Sequence, residues 1–530
     1  MGRQKQKQQV RATKMSLNDT HEYMTTKPCG SNEHGDDGYA TTTILAVIVF
    51  FMQAGFAFLE AGSVRSKNTT SILFKNFMDT ICGCVAYWAF GYAFAFGDGN
   101  GFIGTRNFFL SEIGLDDSNS LVSFFVLYVY AITAVTIVSG AMAERTQLKS
   151  YFVFAFLVTA WVQPVVAHWA WAPQGWLYTG VFNEYHNRTV RYVDYAGSSV
   201  VHVVGGMSAL IGAAVVGARN GRFDVRGRSV TTFSQATTMS TLGGFIILFG
   251  FFAFNLISDE DHIKGKYDSN GLIVVNCILA ACGGSLSALT YRRITGWRNQ
   301  QWSLVAAING AVAGLVSISA GAKTMYSYAA FIVGLVSGVV YSWVRKKLEL
   351  KRVDDPLDAV AVHLGGGVWG ILCVPFLDAD MGLFYQGNRL SMLLLGWNLC
   401  GLVVIVTWTF VWAALIFGIL SWLNVLRVTS DDESRGLDEV EHGERAYSYQ
   451  MTAQDSSSSL TLCRALFNMY GDLPPALRLG DTSRSHNEVK KESIRSRNAA
   501  DVNAEEDGFG SSFAIVNSSN HSESDPVLML

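Results

Sequence analysis

Two histidines stand out, because imidazole can take up and return a proton near neutral pH. His202 lies in DYAGSSVVHVVGG (194–206) and His363 in DPLDAVAVHLGGG (355–367), each in a run of small and apolar residues. In both stretches an aspartate comes first and a glycine pair follows the histidine. Asp194, His202, Gly205 and Gly206 thus correspond to Asp355, His363, Gly366 and Gly367. A neutral imidazole offers one hydrogen-bond donor and one acceptor, and an ionised carboxylate offers acceptors only. In a run this apolar, such groups mark a pathway, a proton relay or a cofactor site. The glycine pairs allow close approach of another backbone.

The elements that hold these residues follow from composition. The chain is 50% hydrophobic and only 16% charged, against roughly 25% charged in soluble domains. Apolar runs of about twenty residues, the length that crosses a ~30 Å bilayer core, recur at 39–62, 74–96, 119–143, 150–172, 196–218, 234–257, 271–291, 302–320, 325–344, 357–376 and 391–425. The expectation is an all-α integral membrane protein of eleven transmembrane helices, the last long enough to tilt or project. Residues 1–38 form an N-terminal segment, 39–426 the membrane domain, 427–450 a polar segment, and 451–530 a Ser-rich tail expected to be disordered.

One alternating set of loops is rich in Lys and Arg, including Arg65, Lys67, Arg145, Arg219, Arg222, Arg292 and Arg345. The positive-inside rule places that set in the cytoplasm, the amino terminus outside and the carboxyl terminus inside. The basic start, Arg3 to Lys14, runs against this but lies mostly too far from the first span to weigh heavily. Asn18 and Asn187 begin glycosylation sequons on the expected outer side, whereas the sequon at Asn68 falls inside. Scattered cysteines give neither a disulfide framework nor metal-ligand spacing. A net charge of −3 gives no sign of nucleic-acid binding. No cleavable signal peptide and no cofactor are called for, and the residues do not resemble an enzyme site.

Asp194 precedes the fifth span, entered from outside, and Asp355 the tenth, entered from inside. Two copies of one motif with opposite polarity imply a 5+5 inverted repeat plus a final helix, with the functional site where the halves meet. Eight helical residues rise about 12 Å, so each histidine falls near mid-membrane. Histidines there more often mark a pathway or proton relay than a packing contact. His168, among Trp169, Trp171 and Trp176, reads instead as part of an interfacial aromatic belt. Glu60 and Asp79 read as structural, paired with helix ends or polar neighbours. Aromatic rings at Tyr128, Tyr130, Phe251, Phe252 and Phe254 are ordinarily packing, but gathered at a pore mouth they attract a cation through their faces.

The segments EAGSVRSKN, SGAMAER, DYAGSSVVHVVGGMSALIGAAVVGAR and VDDPLDAVAVHLGGGVWG, in that order, resemble the signatures of the Amt/Mep/Rh ammonium transporter family, nearest its Amt branch. The resemblance runs from about residue 39 to 450 and implies a homotrimer with one pore per subunit. It implies that His202 and His363 are the paired pore histidines and that Asp194 supports the outer recruitment site. Trp171 and Ser258 would hold the incoming ammonium, and Phe254 would be the inner gate ring. The outer gate position falls on Tyr130, and Phe251 stands where many relatives carry Trp. The segment LDEVEHGERAYSY is similar to the family's regulatory tail, with Val440 where plant relatives have a phosphorylatable Thr.

The residue types suit transport of ammonium, ammonia and methylammonium through a lipid-embedded pore. A bare cation in an apolar passage loses its hydration at great expense, which favours release of a proton at the gate and passage of neutral ammonia. Two other functions also fit a pair of intramembrane histidines. One is an ammonium sensor that barely conducts; the other is a b-type electron carrier with haem between the imidazoles.

Overall fold

A backbone in hydrocarbon must satisfy its own N–H and C=O groups, so the apolar stretches fold as helices. The computed structural model describes residues 33–230, 236–258, 269–295 and 302–447. All belong to one unit, Met1–Tyr447; the second unit, Ser448–Leu530, lies outside the described residues, as does Asn18.

In chain order the helices are α1 (Glu33–Ser63), α2 (Thr69–Ala86), α3 (Tyr92–Phe96), α4 (Ser118–Ala141), α5 (Leu148–Leu157), α6 (Gln163–Trp171) and α7 (Trp176–Thr179). They continue as α8 (Val204–Val216), α9 (Thr237–Leu256), α10 (Asn270–Thr295), α11 (Leu304–Ile318), α12 (Ser327–Leu350), α13 (Gly366–Leu377) and α14 (Arg389–Trp422). Two short helices, α15 (Ser430–Arg435) and α16 (Leu437–His442), close the described chain. A small antiparallel hairpin, β1 (Val181–Asn183) with β2 (Arg188–Val190), carries Asn187, exposed, in its turn.

Among the described residues nine helical segments are long and apolar enough to cross a membrane. Two stretches read as spans fall outside that set. The helix that begins at Thr69 carries Lys75 and Asp79, and Leu304–Ile318 is 15 residues long. The final helix is the expected long one, 34 residues, or about 50 Å at 1.5 Å per residue.

The two histidine motifs fold alike and against each other. His202 lies in a π-helical turn, Ser198–Val203, that leads into α8; His363 lies in another, Val360–Gly365, that leads into α13. A π-turn accommodates one more residue than an α-turn and re-aims the side chains it carries. The contacts are reciprocal: α8 packs on the π-turn of His363, and α13 on that of His202. A Cβ at Gly206 would come within 2.3 Å of the Leu364 backbone nitrogen, and one at Gly367 within 2.4 Å of the Ser198 carbonyl and 3.0 Å of Val203. Val203 and Leu364 each follow their histidine, so the same contact occurs twice with the halves exchanged.

Candidate functional site

At this reciprocal seam Nδ1 of His202 lies 3.2 Å from Nδ1 of His363, with ring centroids 5.2 Å apart and planes inclined by 26°. Both rings are buried. Nε2 of His202 is also buried and has no hydrogen-bond partner among the described residues. Phe251 and Phe254 both stack on His202 at 5.5 Å and 28°, while Phe56 approaches His363 at 6.3 Å. Phe254 and Phe251 project together because they are three apart on α9.

Beyond Phe254 the chain builds an aromatic cup. Tyr130, on α4, meets Phe254 edge-on, with centroids 4.6 Å apart at 87°, and meets Trp171 at 5.4 Å. The Tyr130 hydroxyl is 2.8 Å from the Phe254 carbonyl and 2.5 Å from the Ser258 hydroxyl. Trp171 donates its indole N–H to the Asp194 carbonyl at 2.8 Å. Tyr130, Trp171, Phe254 and Ser258, far apart in sequence, therefore converge next to the histidine pair.

Asp194 sits under this cup with its carboxylate turned to the backbone. It accepts from the N–H groups of Gly197 (3.1 Å), Ser199 (2.8 Å) and Val200 (3.0 Å), and from the Ser199 hydroxyl (2.6 Å). Gly197 has φ of +92°, a left-handed conformation that a side chain would strain. Asp194 thus shapes the entry into the π-turn of His202. Asp355, its counterpart, accepts from Val360 N–H at 2.7 Å, and its other oxygen is buried without a partner among the described residues. Burial, and then the charge of Asp358, push its carboxyl up to about 7. The shared motif therefore has unequal polar surroundings in its two copies.

The remaining polar residues take structural positions. Both ring nitrogens of His168 face backbone carbonyls, Ala95 at 2.8 Å and Asn100 at 2.7 Å, so this histidine braces a loop. Glu60 accepts from Asn76 at 2.9 Å and Ser139 at 3.4 Å. Asp79 is buried within electrostatic reach of Glu60 and Lys75, yet neither of its oxygens has a hydrogen-bond partner among the described residues.

Sequence reasoning used the basic loops for orientation alone and missed the charge lattice they form. Glu144, its side chain fully buried, accepts from Arg219 at 2.7 Å, Asn68 at 3.0 Å and also from Arg65. Arg219 also grips Asp354 with Nε at 2.8 Å and Nη2 at 3.1 Å. Burial acts to raise both carboxyls, but Arg219, joined by Arg65 at Glu144 and Arg145 at Asp354, holds each below the usual carboxylate range. The chain after α14 completes the lattice: Glu433 pairs with Arg427 at 2.8 Å, and Asp438 accepts from Ser71 N–H at 2.8 Å. Asp438 thus caps the start of α2 with an anion, where the helix dipole favours one. Asn68, the inner sequon, is buried, and its side chain bonds Glu144 and Leu437 N–H.

The model of the Ammonium Transporter Family matches residues 40–447. Ammonium transporter 1 member 3 of Solanum lycopersicum is 36% identical over 440 residues, covering 78% of this chain and 93% of its own. Ammonium transporter 3 of Dictyostelium discoideum is 34% identical, covering 79% and 96%. A solved structure named Sensor Amt Protein superposes with a TM-score of 0.71 at 31% identity, covering 78% of this chain and 99% of that one. Mep2 of Candida albicans, at 24% identity and a TM-score of 0.66 over 75% of this chain and 87% of its own, shares the fold. With the family model spanning both histidine motifs, the cup and the charge lattice, this chain belongs to the Ammonium Transporter Family.

Proposed function

We propose that the protein moves ammonium across a membrane, with methylammonium as a second substrate, along a path from the aromatic cup to the His202–His363 pair. The observation that carries this reading is the buried Nε2 of His202, left without a partner among the described residues next to the cup rings. Family membership and the names of the curated relatives support ammonium as the cargo.

In this reading the cup faces outward and recruits the cation against the ring faces of Trp171 and Tyr130 and the oxygen of Ser258. Desolvation behind Phe254 favours the neutral species, so the cation gives up a proton there. Ammonia then passes the histidines by hydrogen bonding to imidazole. The joined rings offer a route for the proton, because one Nδ1 donates to the other. Asp194 holds the backbone beneath the cup and adds negative potential.

The rest of the assignment follows the same reading. Residues 39–426 form the lipid-embedded domain of eleven helices, 427–450 a cytoplasmic regulatory segment, and 451–530 a further tail. The amino terminus is outside, the subunit joins a homotrimer, and Asn187 and Asn18 are glycan acceptors. The distance argues against a haem between the histidines: 3.2 Å between facing nitrogens is short of the ~4 Å spanned by two metal–nitrogen bonds of ~2.0 Å. Sensing without transport gains nothing from the likeness to Sensor Amt Protein, whose name describes that protein alone.

The test is ammonium-dependent current and labelled methylammonium uptake in cells lacking ammonium uptake of their own. Uptake no greater than in empty cells, with the protein at the surface, would sink the proposal.

A further inference from the structure

The hydroxyl of Tyr130 has two partners whose chemistry differs. We propose that Tyr130 is a positioning residue that fixes the Ser258 hydroxyl as an acceptor-only group for the N–H bonds of the entering cation. This deepens the proposed function and rests on its reading of the cup as the ammonium site.

The argument is one of donors and acceptors. The phenol carries one hydrogen. Of its two partners, the Phe254 carbonyl at 2.8 Å can only accept, so the Tyr130 O–H donates there. The Ser258 hydroxyl at 2.5 Å must then be the donor in its contact with Tyr130. Its single hydrogen is committed, and its lone pairs remain for the cup.

Spacing at the end of α9 makes this arrangement informative. A serine four residues after a carbonyl commonly donates back to it, and Phe254 stands four before Ser258. Tyr130 occupies that carbonyl instead, so the serine hydrogen turns towards the phenol. A phenylalanine at 130 would leave the carbonyl open and Ser258 free to rotate. The Tyr130 ring is set firmly: it is buried, with Phe254 and Trp171 packed on it.

An ammonium ion donates four hydrogen bonds and accepts none, so a fixed acceptor suits it. A freely turning hydroxyl presents its hydrogen to the cation for part of the time. The effect belongs to capture of the cation, not to passage beyond Phe254. The hydroxyl should therefore set the half-saturating ammonium concentration and leave maximal flux nearly unchanged.

The experiment measures ammonium current against concentration, normalised to surface protein, for the unsubstituted chain, Tyr130→Phe, Ser258→Ala and the double variant. Tyr130→Phe is expected to raise the half-saturating concentration by about 3- to 10-fold, the size of one modest hydrogen bond, with maximal current within about twofold. In the Ser258→Ala background the same change should have no further effect, since there is no hydroxyl left to orient. An unchanged half-saturation in Tyr130→Phe, or its full effect persisting without Ser258, would overturn the proposal. So would failure of Tyr130→Phe to reach the surface, which would assign the hydroxyl to folding. Absence of ammonium current in the unsubstituted chain would overturn the proposed function itself, and is thereby told apart from a failure of this inference alone.

Discussion

Nδ1 of His202 and Nδ1 of His363 face each other at 3.2 Å, and a hydrogen bond between two such nitrogens places a proton on one and a lone pair on the other. The two rings therefore hold opposite tautomers. Their Nε2 atoms differ accordingly, one accepting and the other donating. Transfer of the shared proton reverses these roles only when one Nε2 gains a proton as the other loses one, so the pair is a single chemical unit.

Replacement of either histidine by alanine should accordingly break the same path. Each single variant is expected to lose proton-coupled ammonium current by roughly 100-fold or more, within the range of positioned proton transfer. The double variant should be little worse than the poorer single one, as for residues that act together. Currents normalised to surface protein decide the matter; losses that multiply would show two independent structural histidines.

Selectivity should follow from the ability to release a proton. Ammonium and methylammonium carry one to give up, whereas sodium and potassium do not and face the whole desolvation penalty. Ammonium current should exceed potassium current by at least about 100-fold, a difference of ~2.7 kcal/mol. Equal currents from the two ions would remove deprotonation from the mechanism.

Phe254 separates the cup from His202, stacking on the imidazole and meeting Tyr130 edge-on. Phe254→Ala should open this seam to water and lower ammonium transport by about 10-fold, while Phe254→Leu, which restores bulk, should recover part of it. Competition between potassium and ammonium in the alanine variant provides the check, because a wetted passage discriminates less. Retained selectivity in that variant would place the dry barrier elsewhere.

The charge lattice supports the fold and is sensitive to pH. Removing one partner of a buried ion pair strands the other, at about 3–5 kcal/mol, so Glu144→Gln should lower the melting temperature of the purified protein. The folded-state carboxyls of Glu144 and Asp354 lie below their ordinary values. Their stabilisation is thus complete above the unfolded range of ~4 and disappears as pH falls through the lower folded values. The melting difference between the unsubstituted chain and Glu144→Gln should be largest near neutrality and shrink below about pH 4. A constant difference across that range would show that Glu144 acts by shape.

Much of this site could be read in the sequence because its chemistry is repeated and its setting is apolar. The Asp–His–Gly-Gly frame named both histidines, and hydropathy gave the helices that carry them. Tyr130 and Phe254 were noticed as rings that could gather at a mouth, but their grouping with Trp171 and Ser258 was reached only through resemblance, since separate helices bring them together and no spacing encodes it. The π-turns were hidden as well: a π-turn changes hydrogen bonding over a few residues without altering the apolar pattern. Arg219 was read for orientation alone and its partners Glu144 and Asp354 went unremarked, because charge signs predict orientation, not pairing. Glu60 has the polar neighbours expected of it, whereas His168, read as part of an aromatic belt, braces a loop through two carbonyls. Asp79 was expected to find a polar partner and instead has no hydrogen bond among the described residues.

The glycine contacts at the seam bear on how the protein can work over time. With Gly206 against Leu364 and Gly367 against Ser198 and Val203, the halves meet backbone to backbone on both sides of the histidine pair. Little slack remains there for one half to rock over the other, as an alternating-access carrier requires. On the proposed function, exposure to the two solutions in turn would come from ring and side-chain rotation, not from a hinge. A cycle of that kind has no large rearrangement to wait for. Its turnover should respond to temperature as a selective filter does, and adding a methyl at Gly206 or Gly367 should harm assembly of the seam before it slows any moving part.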